Sequence, residues 1–262
     1  MREWRLRRRM SQLDLAGETG ISARHLCFLE TGRSQPSREM LLRLAERLQI
    51  PLRDRNVLLN AAGYASVFPE RQLRDPALEV IRAAVDVVLA GHRPYPAMAV
   101  DRHWTLVASN GGFEPFLAGV DPALLRPPVN VLRLTLHPQG LARRIANYQE
   151  WRAHVLDRLQ RQIAMDGDPF LIDLLGELRE CSRRDGLNTA GNSSDAEHQG
   201  IVVPFRVVTE AGILSFFTTT TVFGTPVDVT VSELSLECFY PADAQTAAVL
   251  RNVQATRDQD NS

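Results

Sequence analysis

The side chains with the clearest chemistry lie near the start of the chain, on a short predicted helix and in the loop after it. Arg24 is the strongest candidate for reading a DNA base, because its planar guanidinium can donate two hydrogen bonds to guanine O6 and N7. Arg33 follows the same helix, where a basic side chain can contact phosphate. The alternative is that both are solvated arginines on a helical bundle. The candidate DNA-contacting residues are Gln12, Ser22, Ala23, Arg24, His25, Phe28, Arg33 and Ser34.

Helices must hold these residues in place, and the residue spacing predicts where the helices begin and end. Ser11 begins a capping box, in which its hydroxyl and an acidic residue three positions later satisfy backbone groups reciprocally. Gly20 can adopt the positive φ of a tight turn, and Ser22 can cap the next helix, over 23–30. Ala16 is small enough for the two helices to cross. This is the spacing of a helix-turn-helix, whose second helix begins in the major groove of DNA.

The other helices predicted near the start complete a bundle of five over residues 1–63. Ser37 can cap a helix in which Leu41, Leu44 and Leu48 recur at helical spacing. A further helix is predicted at each end of this region. We call residues 1–63 the head.

The formal charge of −1 hides an asymmetry along the chain. Residues 1–60 contain 12 arginines and 7 acidic residues, a net charge of +5. Residues 61–262 contain 18 arginines and 24 acidic residues, a net charge of −6. A basic head on an acidic body favours nucleic acid as the partner of the head alone.

Beyond the head, the composition predicts a linker and a second domain. Residues 64–76 contain two prolines, which suits a linker. Residues 77–253 combine helical and strand periodicity, and residues 254–262 are a polar tail. Within the second domain, the Gly-, Ser- and Asn-rich residues 182–199 are predicted to be a loop. The predicted fold class is therefore multi-domain, α followed by α/β.

The second domain alternates between two kinds of periodicity. Residues 95–109 predict a hairpin, and residues 201–240, rich in Val, Ile, Phe and Thr, predict a three-stranded antiparallel meander. Helices are predicted over 77–90 and 138–165, whereas 129–136 is a short strand or an irregular segment. The helix over 77–90 is expected to bury an apolar side formed by Val80, Ile81, Ala84, Val87 and Val88.

The head carries a specific resemblance in the segment SQLDLAGETGISARHLCFLETGRSQPSREMLLRLAERL, residues 11–48. It resembles the helix-turn-helix of the Cro/repressor-like, xenobiotic-response-element-type (XRE) regulators, and the resemblance covers residues 1–62. It implies an internal ion pair between Arg5 and Glu30. Phe28 stands where related repressors often have a polar base-contacting residue, so it either contacts a thymine methyl group or packs.

Three segments of the second domain resemble the ligand-binding domain of MmyB-like transcription regulators, a PAS-like α/β sensor. They are PYPAMAVDRHWTLVASN (94–110), NVLRLTLHPQGLARRIANYQEW (130–151) and FFTTTTVFGTPVDVTVSELSLECFYPAD (216–243). The resemblance implies an antiparallel sheet with helices over one face, which enclose an apolar pocket. It also implies a fatty-acid-like or other apolar small-molecule ligand and no further cofactor.

Aromatic residues, with a few polar ones, are the candidates for lining such a pocket. Arg133 could meet a carboxylate through its planar fork, and His137 could supply a second polar group. The alternative is that the aromatic residues are core and that His137 is a loop residue. The candidate pocket residues are Trp104, Asn110, Phe113, Phe116, Arg133, His137, Trp151 and Phe217.

These observations favour a transcription regulator whose second domain senses a small-molecule effector. We expect a homodimer that binds a double-stranded DNA operator as two half-sites about one helical turn apart. The alternative is a DNA-bound module that holds a protein partner and has no small-molecule ligand.

An enzyme is not expected, because the GxSxG, GxxxxGK[ST], GxGxxG and HExxH motifs are all missing from the sequence. The six histidines have no metal-ligand spacing, so no metal site is predicted. Cys27, Cys181 and Cys238 are isolated and are expected to be reduced thiols. With no signal peptide or membrane span in the sequence, the expected location is the cytoplasm.

Overall fold

The computed structural model describes residues 1–184 and 202–260, so residues 185–199 of the predicted loop lie outside the described residues. The described chain divides into two units by its internal contacts. The head unit consists of Met1–Asp75, Ala164–Asp166 and Gly224–Ser232. The body unit consists of the remaining described residues. The predicted domain boundaries stay predictions.

Five helices form the head, all of whose residues are described. They are α1 (Arg2–Arg7), α2 (Gln12–Thr19), α3 (Ala23–Glu30), α4 (Arg38–Arg47) and α5 (Leu52–Ala61). Helices α1 to α4 share one apolar core, which includes Trp4, Leu15, Leu26, Leu44 and Leu48. The predicted five-helix bundle is confirmed.

Local hydrogen bonds set the boundary between α2 and α3. The Ser11 hydroxyl accepts from the Asp14 backbone N–H and the Asp14 carboxylate accepts from the Ser11 N–H at 2.9 Å, which completes the predicted capping box. Gly20 ends α2 with a φ of 70°, and the Ser22 hydroxyl caps α3. Since Ala16 is buried where α2 packs against the core, the two helices form the helix-turn-helix that the spacing predicts.

Within the described residues, the body unit contains a five-stranded antiparallel sheet with the strand order β2–β1–β5–β4–β3. The strands are β1 (Ala97–Val100), β2 (Leu106–Ser109), β3 (Phe205–Thr209), β4 (Gly212–Val222) and β5 (Ser235–Pro241). β1 and β2 form the predicted hairpin. The central strands β1 and β5 come from opposite ends of the domain. This architecture confirms the predicted PAS-like domain.

The remaining helices differ in places from the predicted elements. They are α6 (Glu79–Gly91), α7 (Val131–Leu136), α8 (Tyr148–Asp166), α9 (Pro169–Arg184), α10 (Val229–Ser232) and α11 (Ala244–Asp260). α7 replaces the strand considered at 129–136, because the Asn130 side chain accepts from the Arg133 N–H and caps a helix there. The helix predicted over 138–165 begins only at Tyr148. No helix of the described chain is long and apolar enough to cross a membrane.

Strand β5 presents alternate side chains to two separate cores of the body unit. Leu236 and Cys238 pack with α6 on one face of the sheet. Phe239 packs on the opposite face, in the large core formed with α7, α8 and α9. Helices therefore lie over both faces, whereas the resemblance implied helices over one.

Helix α6 buries a different side from the one predicted. Val85 and Leu89 are buried against the sheet, whereas Val80 is 78% and Val87 71% exposed. Because the helix is apolar on nearly all sides, its hydrophobic pattern allows more than one of its faces to be buried against the sheet. The small side chains of the strands beneath it, such as Ala97 and Ala99, leave space for Val85 and Leu89.

Helix α10 and the segment after α5 are joined within the head unit. The Asn56 side-chain oxygen accepts from the Val67 and Phe68 backbone N–H groups at 3.0 and 3.1 Å. Arg71 pairs with Asp228 at 2.8 Å. The Asp228 carboxylate also accepts from the Thr230 N–H at 2.9 Å, which favours a helical turn where the meander prediction placed a strand.

Candidate nucleic-acid interface and ligand cavity

The outer surface of α3 is built around an arginine that lies over an aromatic ring. Arg24 is exposed, and its guanidinium carbon lies 5.5 Å from the centroid of the Phe28 ring, one helical turn later. A cation over a ring face is attracted by the ring quadrupole. Phe28 therefore packs against Arg24 and supports its side chain. Packing is one of the two roles that the sequence left open for Phe28.

The loop after α3 is fastened to the carbonyl of the same Phe28. That oxygen accepts from the backbone N–H groups of Arg33 at 2.8 Å and Ser34 at 3.3 Å. Arg33 is exposed and Ser34 is half-buried. The backbone N–H groups of Arg33 and Ser34 are therefore used internally, whereas the exposed Arg33 side chain faces solvent.

At the start of α3, the residues expected in the major groove surround the cap. The Ser22 hydroxyl accepts from the His25 N–H at 3.1 Å. Ser22 is exposed, and Ala23 and His25 are half-buried. Together with Arg24, these residues occupy the cap and the first turn of α3.

Gln12, a further candidate contact, is held by a hydrogen bond to a buried carboxylate. Its side-chain amide donates to Glu30 at 2.8 Å.

Arg5 donates two hydrogen bonds to the same Glu30 carboxylate, each of 2.8 Å, and a third to the Met10 carbonyl. The ion pair implied by the resemblance is therefore confirmed, and it is buried.

The pKa of Glu30 reflects two opposing effects. Burial raises the pKa of this carboxyl group, whereas the hydrogen bonds from Arg5 and Gln12 and the charge of Arg5 lower it, and the net pKa lies below the usual value. The same pairing raises the pKa of Arg5. Both groups are therefore charged in the folded head, and they tie α1 to α3.

A small cavity lies in the body unit between the sheet and helices α7 and α8. Its volume is about 40 Å³. The lining residues are Met98, Trp104, Val131, Leu132, Thr135, Trp151, His154, Val155, Arg158, Thr218, Glu237 and Phe239.

One wall of the cavity contains a buried ion pair between α8 and β5. Arg158 donates to both oxygens of Glu237, at 3.0 and 2.6 Å, and to the Thr220 hydroxyl at 2.8 Å. The Glu237 side chain is 3% exposed and that of Arg158 30%. The guanidinium also lies 4.6 Å from the Trp104 ring centroid. The two charges cancel and the bidentate geometry fixes both side chains. This wall of the cavity therefore has polar groups in fixed positions but no net charge.

The two tryptophans of the lining differ in their hydrogen bonding. Trp104 donates its indole N–H to the Gln162 side chain at 3.0 Å. The Trp151 indole nitrogen is buried, and no acceptor among the described residues lies within hydrogen-bond distance.

His154 also lines the cavity. Burial, together with the charges of Arg158 and Arg161, lowers the pKa of His154 below the usual value, so the His154 imidazole is neutral at neutral pH.

Of the eight predicted pocket residues, Trp104 and Trp151 line the cavity. Phe116 and Phe113 pack into the core behind it, where Phe113 meets Phe239 edge-on at 5.0 Å. Phe217 is on the opposite face of the sheet, 38% exposed and stacked on Tyr240.

The polar residues predicted for the pocket have structural partners elsewhere. The Asn110 side chain bonds the backbone of Ala97, Leu89 and other neighbours. Arg133 pairs with Glu177, with three hydrogen bonds of 2.7 to 3.0 Å. The His137 ring nitrogen accepts from the Gln139 N–H at 3.1 Å, in a loop, which agrees with the alternative considered for it.

The charged residues of the cavity were missed by sequence reasoning, although one signal was present. Glu237 is a single acidic residue inside the apolar strand SLECFY, and a buried charge requires a partner. Arg158 could not be assigned to it, because the pair is 79 residues apart. No group of three or more histidine, cysteine or acidic side chains in the described parts of the chain could hold a metal ion.

Comparison with known proteins agrees with both parts of this structure. The family described as "MmyB-like transcription regulator ligand binding domain" matches residues 81–253, and the family described as "Helix-turn-helix" matches residues 1–54. No curated protein matched the chain. The first match covers about two thirds of the chain. The chain therefore belongs to the MmyB-like transcription regulators, as a ligand-responsive, DNA-binding protein with an XRE-type helix-turn-helix.

Proposed function

We propose that the chain reads a specific operator with the start of α3 and responds to a small molecule held in the body cavity. The exposed Arg24, supported by Phe28, carries the first part of this proposal. Arg24 donates to a guanine in the major groove, and Arg33 contacts phosphate. Gln12, fixed by Glu30, lies at the amino end of α2, where a backbone phosphate passes.

The operator is bound by a homodimer, because one helix-turn-helix reads only one half-site. The two half-sites then lie about 34 Å apart, one turn of DNA. Lengthening the spacer by half a turn should abolish tight binding, and lengthening it by a full turn should restore much of it. Spacer-independent affinity would contradict the dimer. The protein acts in the cytoplasm, where it meets this DNA.

The cavity between the sheet and α8 is the proposed effector site. Its mixed lining, apolar with a few polar groups, supports this assignment. The effector changes DNA affinity only through different affinities for the DNA-competent and DNA-incompetent states. We propose neither a catalytic role nor a further cofactor for the chain, since both matching families are regulator domains.

A second candidate function is a DNA-bound module whose body holds a protein partner. The small volume of the cavity and the exposed apolar residues of α6, Val80 and Val87, favour it. Native mass spectrometry of the purified chain separates the two functions. A co-purified small molecule supports the effector site, and a stable protein partner without one supports the module.

A further inference from the structure

We propose that the connection between β4 and β5 carries the state of the body cavity to the loop after α3, the loop proposed to contact phosphate. This inference rests on the proposed function, because it adds a route of regulation to the effector site assigned above. Residues Gly224–Ser232 of the connection belong to the head unit, although both strands belong to the body unit. We call these residues the connecting segment. The chain itself therefore joins the two units at each end of this segment.

The route starts at Trp104, which lines the cavity and has a left-handed backbone, with a φ of 64°. This conformation is strained for a residue other than glycine, and it persists only where the surrounding structure enforces it. Gln162, on α8, does so. Its side chain accepts from the Trp104 indole N–H at 3.0 Å and donates to the Arg102 carbonyl at 2.9 Å. A molecule that displaces Trp104 in the cavity therefore also moves Arg102.

The Arg102 side chain lies between two acidic residues that are far apart in the sequence. Its guanidinium pairs with Asp168 at 3.0 Å and lies 3.7 Å from the Glu233 carboxylate. Because one cation serves both carboxylates and the attraction depends on distance, a movement of Arg102 strengthens one pair and weakens the other. Glu233 directly follows the connecting segment. The exchange therefore acts on the end of that segment.

The connecting segment is bonded to the chain that follows α5, within the head unit. The Val229 N–H donates to the Pro69 carbonyl at 2.8 Å, and the Thr230 hydroxyl donates to the Arg71 carbonyl. Arg71 also pairs with Asp228, whose side chain is buried, at 2.8 Å. Two backbone contacts and an ion pair thus fix these two stretches of chain to each other, so that a shift of one moves the other.

Helix α5 connects this stretch to the loop after α3. The Asn56 side chain, on α5, exchanges two hydrogen bonds with the backbone of Phe68, at 2.7 and 3.1 Å. At the end of the same helix, the Gln35 side chain donates to the Ala62 carbonyl at 3.0 Å. Gln35 lies in the loop, shortly after Arg33. From the cavity to this loop, each step is therefore a hydrogen bond, an ion pair or the chain itself.

Operator affinity provides a test of this route that needs no identified effector. Gln162→Leu removes both hydrogen bonds that hold the turn, and it imitates a displaced Trp104. The probe is a duplex enriched from a random pool by the full-length wild-type protein, and its binding is measured by fluorescence anisotropy. We expect Gln162→Leu to weaken this binding about fivefold, the lower end of the range for coupled sites, because the loop after α3 is then less preorganised.

Glu233→Gln tests whether the effect travels through the connecting segment. This variant removes one of the two charges that face Arg102. In its background, Gln162→Leu should weaken binding of the duplex less than about twofold, because the route is already interrupted. The matched control is Glu177→Gln, which breaks the ion pair with Arg133 elsewhere in the body. In that background Gln162→Leu should keep its roughly fivefold effect.

Hydrogen exchange gives a second measurement, which does not depend on DNA. The Val67 and Phe68 amides donate to Asn56 in the head. Glu233→Gln should speed their exchange about fivefold, because the stretch that they belong to is held less firmly. Glu177→Gln should leave the exchange rates unchanged. Single variants suffice for this measurement, so it decides the matter even if the double variant fails to fold.

The inference is overturned if Gln162→Leu leaves duplex affinity unchanged, or if it weakens binding equally with and without Glu233→Gln. Wild-type exchange of the Val67 and Phe68 amides in Glu233→Gln also overturns it. A shuffled duplex of the same length is titrated in parallel. Equal wild-type affinity for the two duplexes counts against the proposed function, on which this inference rests. A wild-type preference that Gln162→Leu does not affect counts against the inference alone.

Discussion

The guanidinium of Arg24 lies over the ring of Phe28, with 5.5 Å between its carbon and the ring centroid. The two residues are one turn apart on α3, so the ring restricts the arginine at the start of the helix. The carbonyl of the same Phe28 holds the loop that carries Arg33. Phe28 thus positions both the side chain proposed to read a base and the loop proposed to contact phosphate.

Replacing Arg24 with Ala should cost about 1–3 kcal/mol of operator affinity and relax the preference at a single base pair. Phe28→Leu, which keeps an apolar side chain but removes the ring, should cost about 0.5–1 kcal/mol at the same base pair. Competition binding with operators altered one base pair at a time measures both effects. Arg179→Ala, which removes an exposed arginine from the body, is the matched control and should change neither.

Replacing Arg33 with Ala should weaken binding to all DNA sequences by a similar factor, because phosphate contacts carry no sequence information. The slope of log affinity against log salt should become shallower by about one. Binding isotherms at four salt concentrations give the slope. A loss confined to one operator position would show that Arg33 reads a base instead.

The Arg5–Glu30 pair should make the head sensitive to acid. The folded pKa of Glu30 is lower than its unfolded value of 4.5, so the stabilisation is complete above about pH 4.5 and is lost as pH falls through the folded pKa. Glu30→Gln leaves Arg5 buried without its counter-ion and should cost about 3–5 kcal/mol at pH 7. Calorimetric melting of both proteins from pH 7 to pH 3 checks this, and equal pH dependence below 4.5 would contradict it.

His154 should add a second, milder pH dependence to the body. Its folded pKa lies below the unfolded value of 6.5, chiefly because of burial. The unfolded chain therefore takes up a proton first, and stability falls as pH decreases from 6.5 towards the folded pKa. His154→Gln should remove this decline, whereas His25→Gln in the head should keep it. Urea unfolding of the body at pH 7.5 and 5.5 provides the comparison.

Gly20 and Gly17 offer a matched pair of backbone tests. Gly20 has a φ of 70° and nothing within 4 Å of an added Cβ, so Gly20→Ala should lower the free energy of unfolding by about 1–2 kcal/mol through backbone strain alone. Gly17 lies inside α2 with equally open surroundings and no positive φ. Gly17→Ala should therefore stabilise the head by about 0.5–1 kcal/mol. The same sign for both would contradict the assigned turn.

The head could be predicted closely because its geometry is encoded locally. Ser11, Gly20 and Ser22 determine caps and turns from within four residues of each bond they make. The face of α6 could not be predicted in this way, since Val80 and Val85 are equally apolar and only the strands beneath decide which is buried.

The cavity residues depend on contacts that local spacing does not encode. The side of the sheet that a residue faces follows from register, which places Phe239 towards the cavity and Phe217 away from it. Arg133 has the right chemistry for a carboxylate, but its partner is Glu177, on α9. The resemblance correctly indicated the domain, whereas the position of the cavity within it depends on the three-dimensional packing.

Sequence-specific DNA binding through α3 can be tested by comparing two DNA duplexes. A duplex enriched from a random pool by the full-length protein is compared with a shuffled duplex of the same length, by fluorescence anisotropy at about 150 mM salt. We expect the affinity for the enriched duplex to be at least about 10³-fold higher, and this preference to be largely lost in Arg24→Ala. Equal affinity of the wild-type protein for the two duplexes would show that α3 does not read the DNA sequence.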